Sequence, residues 1–222
     1  MPEITTINLG GVNCYLLKEG DNTILVDTGY TNKCSTLEKR LSQSGCLPGK
    51  LKLIVLTHGD EDHTGNCLSL RKKYGVKIAM HADDTGMVER GDANWNRKAR
   101  PDRFSLVFKI MSVITPLFVK AGTFEKFKPD LTVDESFNLS EYGLDAKIVQ
   151  LPGHSKGSIG VLTGNGALFC GDFLYNMPGF SFIDDLSDHK LSVEKVRKMN
   201  VKIIYPGHGG PISGKKLKRK LG

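Results

Sequence analysis

The densest group of candidate metal ligands in the sequence lies in residues 57–66, which read THGDEDHTGN. Four of these residues, His58, Asp60, Asp62 and His63, fall within six positions directly after an apolar run. Because alternate residues of an extended segment point to the same side, His58, Asp60 and Asp62 can converge on one point. Imidazole and carboxylate are typical ligands of zinc, iron and manganese. The segment therefore predicts a metal site, and a polar turn that caps a helix is the weaker interpretation.

Three further candidate ligands each follow an apolar run that ends in a loop containing glycine. KIVQLPGH delivers His154, ALFCGD delivers Asp172 and KIIYPGH delivers His208. In α/β proteins, ligands bind where strands end, because the loops there project side chains from a rigid base. The recurrence predicts that these three residues join the first four in one shared metal centre.

The elements that must position these residues alternate between short apolar runs and helical patterns, which predicts an α/β fold. Helix stop signals such as Gly45 and Gly75 mark the ends of two helices. We predict helices at 34–44, 64–74 and 192–198, and strands at 13–18, 23–26, 51–56, 76–80, 146–151, 158–163, 167–170 and 202–205.

Residues 83–130 interrupt this rhythm and predict a helical insertion within a single domain that spans residues 1–222. The insertion contains FSLVFKIMSVITPLFV, which is apolar nearly all round a helix and must be covered on more than one side. The rest of the insertion, a second copy of the chain, a hydrophobic substrate or a membrane surface could cover it, so a homodimer is one expectation. One face of this helix consists of Phe104, Phe108, Met111, Ile114 and Phe118.

The net charge of +7 and the pI of about 9.1 reflect the end of the chain more than its body. Five basic residues lie within 215–220, and we interpret this short tail as a solvated end, which argues against nucleic acid as a partner. No apolar run reaches the ~18 residues of a membrane span. The five cysteines contain no C-x-x-C pair, and no secretory signal precedes them, so we expect a reduced, cytoplasmic protein.

In combination, these motifs resemble those of the metallo-β-lactamase superfamily over nearly the whole chain. The family pattern is H-x-H-x-D-H, a histidine in a P-G-H-[ST] loop, an aspartate after a strand and a final histidine; VDTG at 26–29 is also similar. The resemblance implies a four-layer αβ/βα sandwich with a binuclear metal site at one edge of the strands. It also implies the ligands of each metal: His58, the residue at position 60 and His154 for one, Asp62, His63 and His208 for the other, and Asp172 as the bridge.

The sequence departs from the family pattern at Asp60, where the motif has its second histidine. An acidic residue there resembles the variant of some uncharacterised hydrolases and the glutamate of the iron-binding flavodiiron proteins. We expect two divalent ions, zinc first, with iron or manganese as alternatives. Three aspartates and a bridging hydroxide neutralise two divalent ions, which favours neutral acyl substrates over phosphate anions.

The predicted function is a metal-dependent hydrolase of a small-molecule ester, thioester or lactone. A metal lowers the pKa of bound water to about 7, and the resulting hydroxide attacks a carbonyl while Asp62 orients it. A di-iron redox protein that resembles flavodiiron enzymes is the first alternative. A phosphodiesterase or nuclease, and a metal-binding protein without turnover, are the others.

Several residues near the motifs are expected to play supporting roles. The family resemblance implies that Asp27 hydrogen-bonds to the ligands from beneath. We expect a structural role for His81 and a solvated position for His189, which lies in the polar segment DDLSDHK. Gly65 and Gly207 are expected to permit tight turns beside the ligands.

Overall fold

Strands form the centre of the fold. The structure is a computed structural model that describes residues 2–106, 110 and 125–221. In chain order the strands are β1 (Glu3–Asn8), β2 (Asn13–Glu19), β3 (Asn22–Val26), β4 (Leu51–Val55), β5 (Lys77–Met80), β6 (Arg103–Phe104), β7 (Leu131–Thr132), β8 (Ala146–Gln150), β9 (Ile159–Thr163), β10 (Ala167–Phe169), β11 (Phe182–Ile183), β12 (Ile203–Tyr205) and β13 (Ile212–Ser213).

Two main sheets are formed by these strands. The first has the order β1-β2-β3-β4-β5-β7, antiparallel from β1 to β3 and parallel from β3 onward. The second has the order β13-β12-β10-β9-β8, in which only the β10–β12 pair is parallel. Strands β6 and β11 pair separately. The parallel strands β3 and β4 are nearly continuous in apolar residues because both of their faces are covered.

Six α-helices that lie wholly within the described part of the chain connect and flank the sheets. They are α1 (Cys34–Gln43), α2 (Glu61–Thr64), α3 (Cys67–Tyr74), α4 (Ala82–Arg90), α5 (Leu186–Arg197) and α6 (Gly214–Leu221).

The layers of the fold follow from the alternation of side chains along the strands. Leu16 and Leu17 are neighbours in β2 and point to opposite faces of the first sheet. Leu17 packs between the sheets with Phe169 of β10, whereas Leu16 packs outward with Leu37 of α1. A third cluster covers the outer face of the second sheet with α5 and α6. The predicted four-layer arrangement of helix, sheet, sheet and helix is confirmed.

The predicted helices differ from the observed ones where polar side chains bind the backbone. The helix predicted at 64–74 is broken into α2 and α3, because Asn66 between them donates to the carbonyls of Thr28 and Tyr30. The helix predicted at 192–198 begins at Leu186, because the Asp185 carboxylate caps it by accepting from two backbone amides.

The prediction that the basic tail is a solvated end is wrong. It forms α6, in which Leu217 and Leu221 are buried against the second sheet while the charged side chains lie on the other side. Lys220 donates to the carbonyl of Tyr175, 2.7 Å away. The apolar positions four apart were the missed signal of an amphipathic helix.

The insertion departs from its prediction at Phe104, which lies in β6 beside Phe182 and not in a helix. The rest of the predicted apolar face falls on 107–109 and 111–124, outside the described residues, so the homodimer and the single domain stay predictions. Leu106 and Ile110, just before and within that stretch, are exposed. No helix in the described part of the chain is long and apolar enough to cross a bilayer.

Gly65 joins the ligand-bearing segment to the loop that follows β3. Its amide donates to the carbonyl of Gly29 at 2.9 Å, and a Cβ at this position would lie 2.2 Å from the Thr31 nitrogen. Its backbone is ordinary right-handed helix, so the glycine is required by the close approach of two backbones and not by a special turn.

We expect Gly65→Ala to lower the free energy of unfolding by about 1–3 kcal/mol, because the added methyl group forces the two loops apart. Gly210→Ala is the matched control, since open space surrounds that position, and its effect should stay within about 0.5 kcal/mol. Denaturant unfolding measures both, and equal midpoints for the two variants would contradict the close-packed junction.

Candidate metal centre

The seven predicted ligands lie together at the ends of four strands. Each follows its strand in a short loop: the first segment follows β4, and the other three residues follow β8, β10 and β12. Their potential donor atoms form overlapping groups in which all atoms lie within 4.8 Å of one another. We name the first ligand group (His58, Asp60 and His154) and the second ligand group (Asp62, His63 and His208); Asp172 shares a group with His58 and His63.

The second ligand group is oriented by hydrogen bonds on its far side. His63 donates from Nδ1 to Asp27 Oδ2 at 2.8 Å, and His208 donates from Nδ1 to the carbonyl of Gly11 at 2.8 Å. Each bond fixes the proton on Nδ1 and turns the lone pair of Nε2 toward the centre, which is the tautomer that binds a metal.

The first ligand group is oriented in the same way. Thr57 Oγ1 donates to Asp27 and therefore accepts from His58 Nδ1 at 2.9 Å. His154 directs Nδ1 to the carbonyl of Phe182 at 3.4 Å, with the Tyr175 hydroxyl 3.3 Å away. All four histidines thus present Nε2 to the centre.

The electrostatics around the second ligand group favour a cation. Burial opposes a charged imidazole, yet Asp62 and Asp172 outweigh it and raise the pKa of His63 well above its usual value. Burial also opposes a charged His208, but Asp172 and Asp62 raise the pKa of this imidazole to about 10. Burial would raise the pKa of Asp172, but His208 and His63 hold it well below the ordinary range.

The residues present fit a divalent metal at this position. His63 Nε2 and Asp172 Oδ1 are buried, lie 3.3 Å apart and have no hydrogen-bond partner in the described structure. His208 Nε2 lies 3.2 Å from Asp62 Oδ2 and 3.5 Å from Asp172 Oδ2. Nitrogen and oxygen donors that face one another in this way form a ligand set that zinc accepts.

The first ligand group already contains a cation, which the sequence did not predict. Arg97 donates to both oxygens of Asp60, at 2.8 and 2.9 Å, and to Nε2 of His154 at 2.9 Å. Burial would raise the pKa of Asp60, but Arg97 holds it well below its usual value. Burial and Arg97 lower the pKa of His154 and together outweigh its contact with Asp60, which would raise it.

Asp27 supports the centre from beneath the ligands. One of its oxygens accepts from the amide and hydroxyl of Thr57, and the other accepts from the same hydroxyl and from His63. Its φ of 60° is the left-handed conformation, which aspartate and asparagine tolerate better than most residues. A single carboxylate therefore orients ligands in both groups.

Asp84 ties three loops together and was also missed. It accepts from the amides of Gly59 and Gly157, from the hydroxyl of Ser155 and from the side chain of Asn96. These contacts join the loops that carry the predicted ligands to the segment that carries Arg97. Ser155 lies in a G-x-S-x-G sequence, but its hydroxyl is buried against Asp84.

Two other histidines lie outside the ligand groups. His81 caps α4 by accepting from the amide of Asp83 through Nδ1, a structural role. His189 is not solvated as we had expected, because it belongs to α5 and packs on Phe173 with ring centroids 5.2 Å apart. Burial lowers the pKa of His189 to about 4.

A pocket of about 610 Å³ opens beside the first ligand group. Pro101, Phe104 and Phe182 form its apolar wall, and Arg97, Lys98 and Arg100 also line it. Arg97 is paired with Asp60, and Lys98 is paired with Asp102 and Asp185. All of these lining residues except Phe182 belong to the predicted insertion, which therefore shapes the entrance to the centre.

Comparison with known proteins agrees with this geometry. The sequence model of the metallo-beta-lactamase superfamily matches residues 7–208. A beta-lactamase-like protein 2 homolog of Caenorhabditis elegans is 28% identical over 208 residues, which are 90% of this chain and 57% of that protein. The chain thus spans little more than half of that relative. Hydroxyacylglutathione hydrolase GloC of Haemophilus influenzae is 25% identical, over 93% of this chain and 90% of that protein.

The fold is also similar to that of solved structures. ST1585, an archaeal metallo-beta-lactamase superfamily protein from Sulfolobus tokodaii, superposes with a TM-score of 0.69 at 22% identity, over 100% of this chain and 85% of that chain. At this identity the likeness shows the fold alone.

We expect Asp27→Asn to weaken zinc binding about 10–100-fold, because an amide cannot accept from both Thr57 and His63. Asparagine tolerates the left-handed backbone, so the change tests the hydrogen bonds and not the turn. Competition between metal-free protein and a chromophoric chelator measures the affinity. Asp21→Asn is the control because that side chain is 97% exposed; equal affinities for the two variants would show that Asp27 does not orient the ligands.

Proposed function

This chain belongs to the metallo-beta-lactamase superfamily, and from that premise we propose that it is a metal-dependent hydrolase of an ester, thioester or lactone. The observation that carries the proposal is the convergence of four Nε2 atoms and three carboxylates beside an open pocket. The side chains of Asp62, His63, Asp172 and His208 would hold a divalent ion, and zinc suits their nitrogen and oxygen donors. The second of the two expected ions stays a prediction.

A bound divalent metal supplies hydroxide at neutral pH by lowering the pKa of water to about 7. Asp62 is the side chain best placed to orient that nucleophile. It is 22% exposed, whereas Asp172 is 6% exposed, so attacking water and substrate can reach Asp62. Burial would raise the pKa of the Asp62 carboxyl, but the neighbouring imidazoles of His63 and His208 lower it overall. The carboxylate is therefore ionised and can accept a hydrogen bond.

Tyr175 keeps its proton and holds Asp172. Its hydroxyl donates to Asp172 Oδ2 at 2.8 Å, and burial together with the Asp172 charge raises the pKa of Tyr175 well above the usual value. The donated bond fixes the orientation of the carboxylate that lies between the two ligand groups.

The pocket supports an organic acyl substrate. Its apolar wall can bury a hydrocarbon portion, and Arg100 offers positive charge to a carboxylate elsewhere on the molecule. Thioesters are supported in addition by the similarity to a hydroxyacylglutathione hydrolase, since hydroxyacylglutathiones are thioesters.

Phosphodiester hydrolysis is the second candidate, and Arg100 on the pocket wall favours it. The redox alternative depends on Asp60 as an iron ligand, and both oxygens of Asp60 are instead bound to Arg97. We therefore place the acyl hydrolase first and the phosphodiesterase second.

The test is turnover of a panel by zinc-loaded protein: an acylglutathione thioester, a γ-lactone, a p-nitrophenyl ester and bis-p-nitrophenyl phosphate. We expect the highest kcat/KM on one of the acyl substrates, and Asp62→Asn should lower kcat about 10²–10⁴-fold on it. Asp21→Asn should leave the rate unchanged. Preference for the phosphodiester would favour the second candidate, and no turnover by fully loaded protein would favour a metal-binding protein.

A further inference from the structure

The guanidinium of Arg97 occupies the donors that a first metal would need. It binds both oxygens of Asp60 and Nε2 of His154, which are two of the three members of the first ligand group. Only His58 Nε2 in that group is left without a hydrogen-bond partner in the described structure.

Every N–H of this guanidinium is directed at the protein itself. Nη1 donates to Asp60 and to the carbonyl of Ala93, Nη2 donates to Asp60 and His154, and Nε donates to the carbonyl of His154. Since arginine has five donors, none is left for a substrate. Arg97 therefore acts as a part of the centre and not as a substrate-binding group.

The segment around Arg97 holds the side chain in place. Asn96 donates to Asp84 Oδ1 at 2.9 Å, and the amide of Lys98 donates to Asp184 Oδ1 at 3.0 Å. The guanidinium carbon lies 5.0 Å from the ring centroid of Phe182, and the side chain is 7% exposed. Displacing the Arg97 side chain would break its own hydrogen bonds to Asp60, His154 and Ala93 and leave the Asp60 charge without its partner.

Charge balance also favours one metal ion beside Arg97. The centre contains three carboxylates, and Arg97 stays charged at any physiological pH. Arg97 and one divalent ion neutralise the three carboxylates, whereas a second divalent ion would leave excess positive charge a few ångströms from a guanidinium.

We propose that Arg97 is a fixed cation that replaces one metal ion, so that the protein binds a single divalent metal, on Asp62, His63, Asp172 and His208. Asp60 is then the counter-ion of Arg97 and not a metal ligand. This deepens the proposed function, on which it rests, by giving the metal number and location.

The test counts metal and does not depend on activity. Metal-free protein is titrated with zinc, desalted and analysed by plasma mass spectrometry. We expect one equivalent for the wild type and for Arg97→Lys, which keeps the charge. Arg97→Gln should bind two, the second about a hundredfold tighter than in the wild type, because the guanidinium repulsion is removed. Arg100→Gln, on the same pocket wall, is the control and should bind one.

Binding of two zinc equivalents with similar affinity by the wild type would overturn the proposal. Binding of only one zinc equivalent by a folded Arg97→Gln variant would overturn it as well. Circular dichroism checks that each variant folds, and the wild-type count decides the matter even where a variant does not. If the wild type binds no zinc, the proposed function fails instead, so the two failures are distinguishable.

Discussion

Asp27 is a buried carboxylate beneath the ligands, and the orientation of His58 and His63 depends on it. Its hydrogen bonds reach His63 directly and His58 through Thr57, so one carboxylate sets the tautomer of a ligand in each group. The close contact at Gly65 then fixes the loop of Asp27 against the segment of the ligands. Ligand geometry is thus built into the fold before any metal binds.

The second constraint is the balance of charge among the three carboxylates at the ligand positions, Asp60, Asp62 and Asp172. A histidine at position 60 would leave two of them and would offer no counter-ion to an arginine. With Asp60 the protein carries an extra negative charge, and Arg97 neutralises it from a segment 37 residues away. The motif difference and the arginine are therefore two parts of one change, which alters how many metal ions the centre needs.

Sequence reasoning located the seven side chains because each follows an apolar strand, and strand ends meet at one edge of a sheet. It could not place Arg97 or Asp84, because their roles come from tertiary contacts that no local pattern records. It predicted Asp60 as a ligand, and the motif alone could not show that Arg97 pairs with this carboxylate. The basic tail was misread because charge obscured Leu217 and Leu221, whose spacing builds the last helix.

The central claim is that one metal and one arginine share this centre. Crystals of the zinc-loaded wild type, measured at the zinc absorption edge, test it most directly through the anomalous difference map. We expect one peak, surrounded by Asp62, His63, Asp172 and His208, with the guanidinium of Arg97 still on Asp60. A second peak between His58, Asp60 and His154, with Arg97 turned away, would contradict the account.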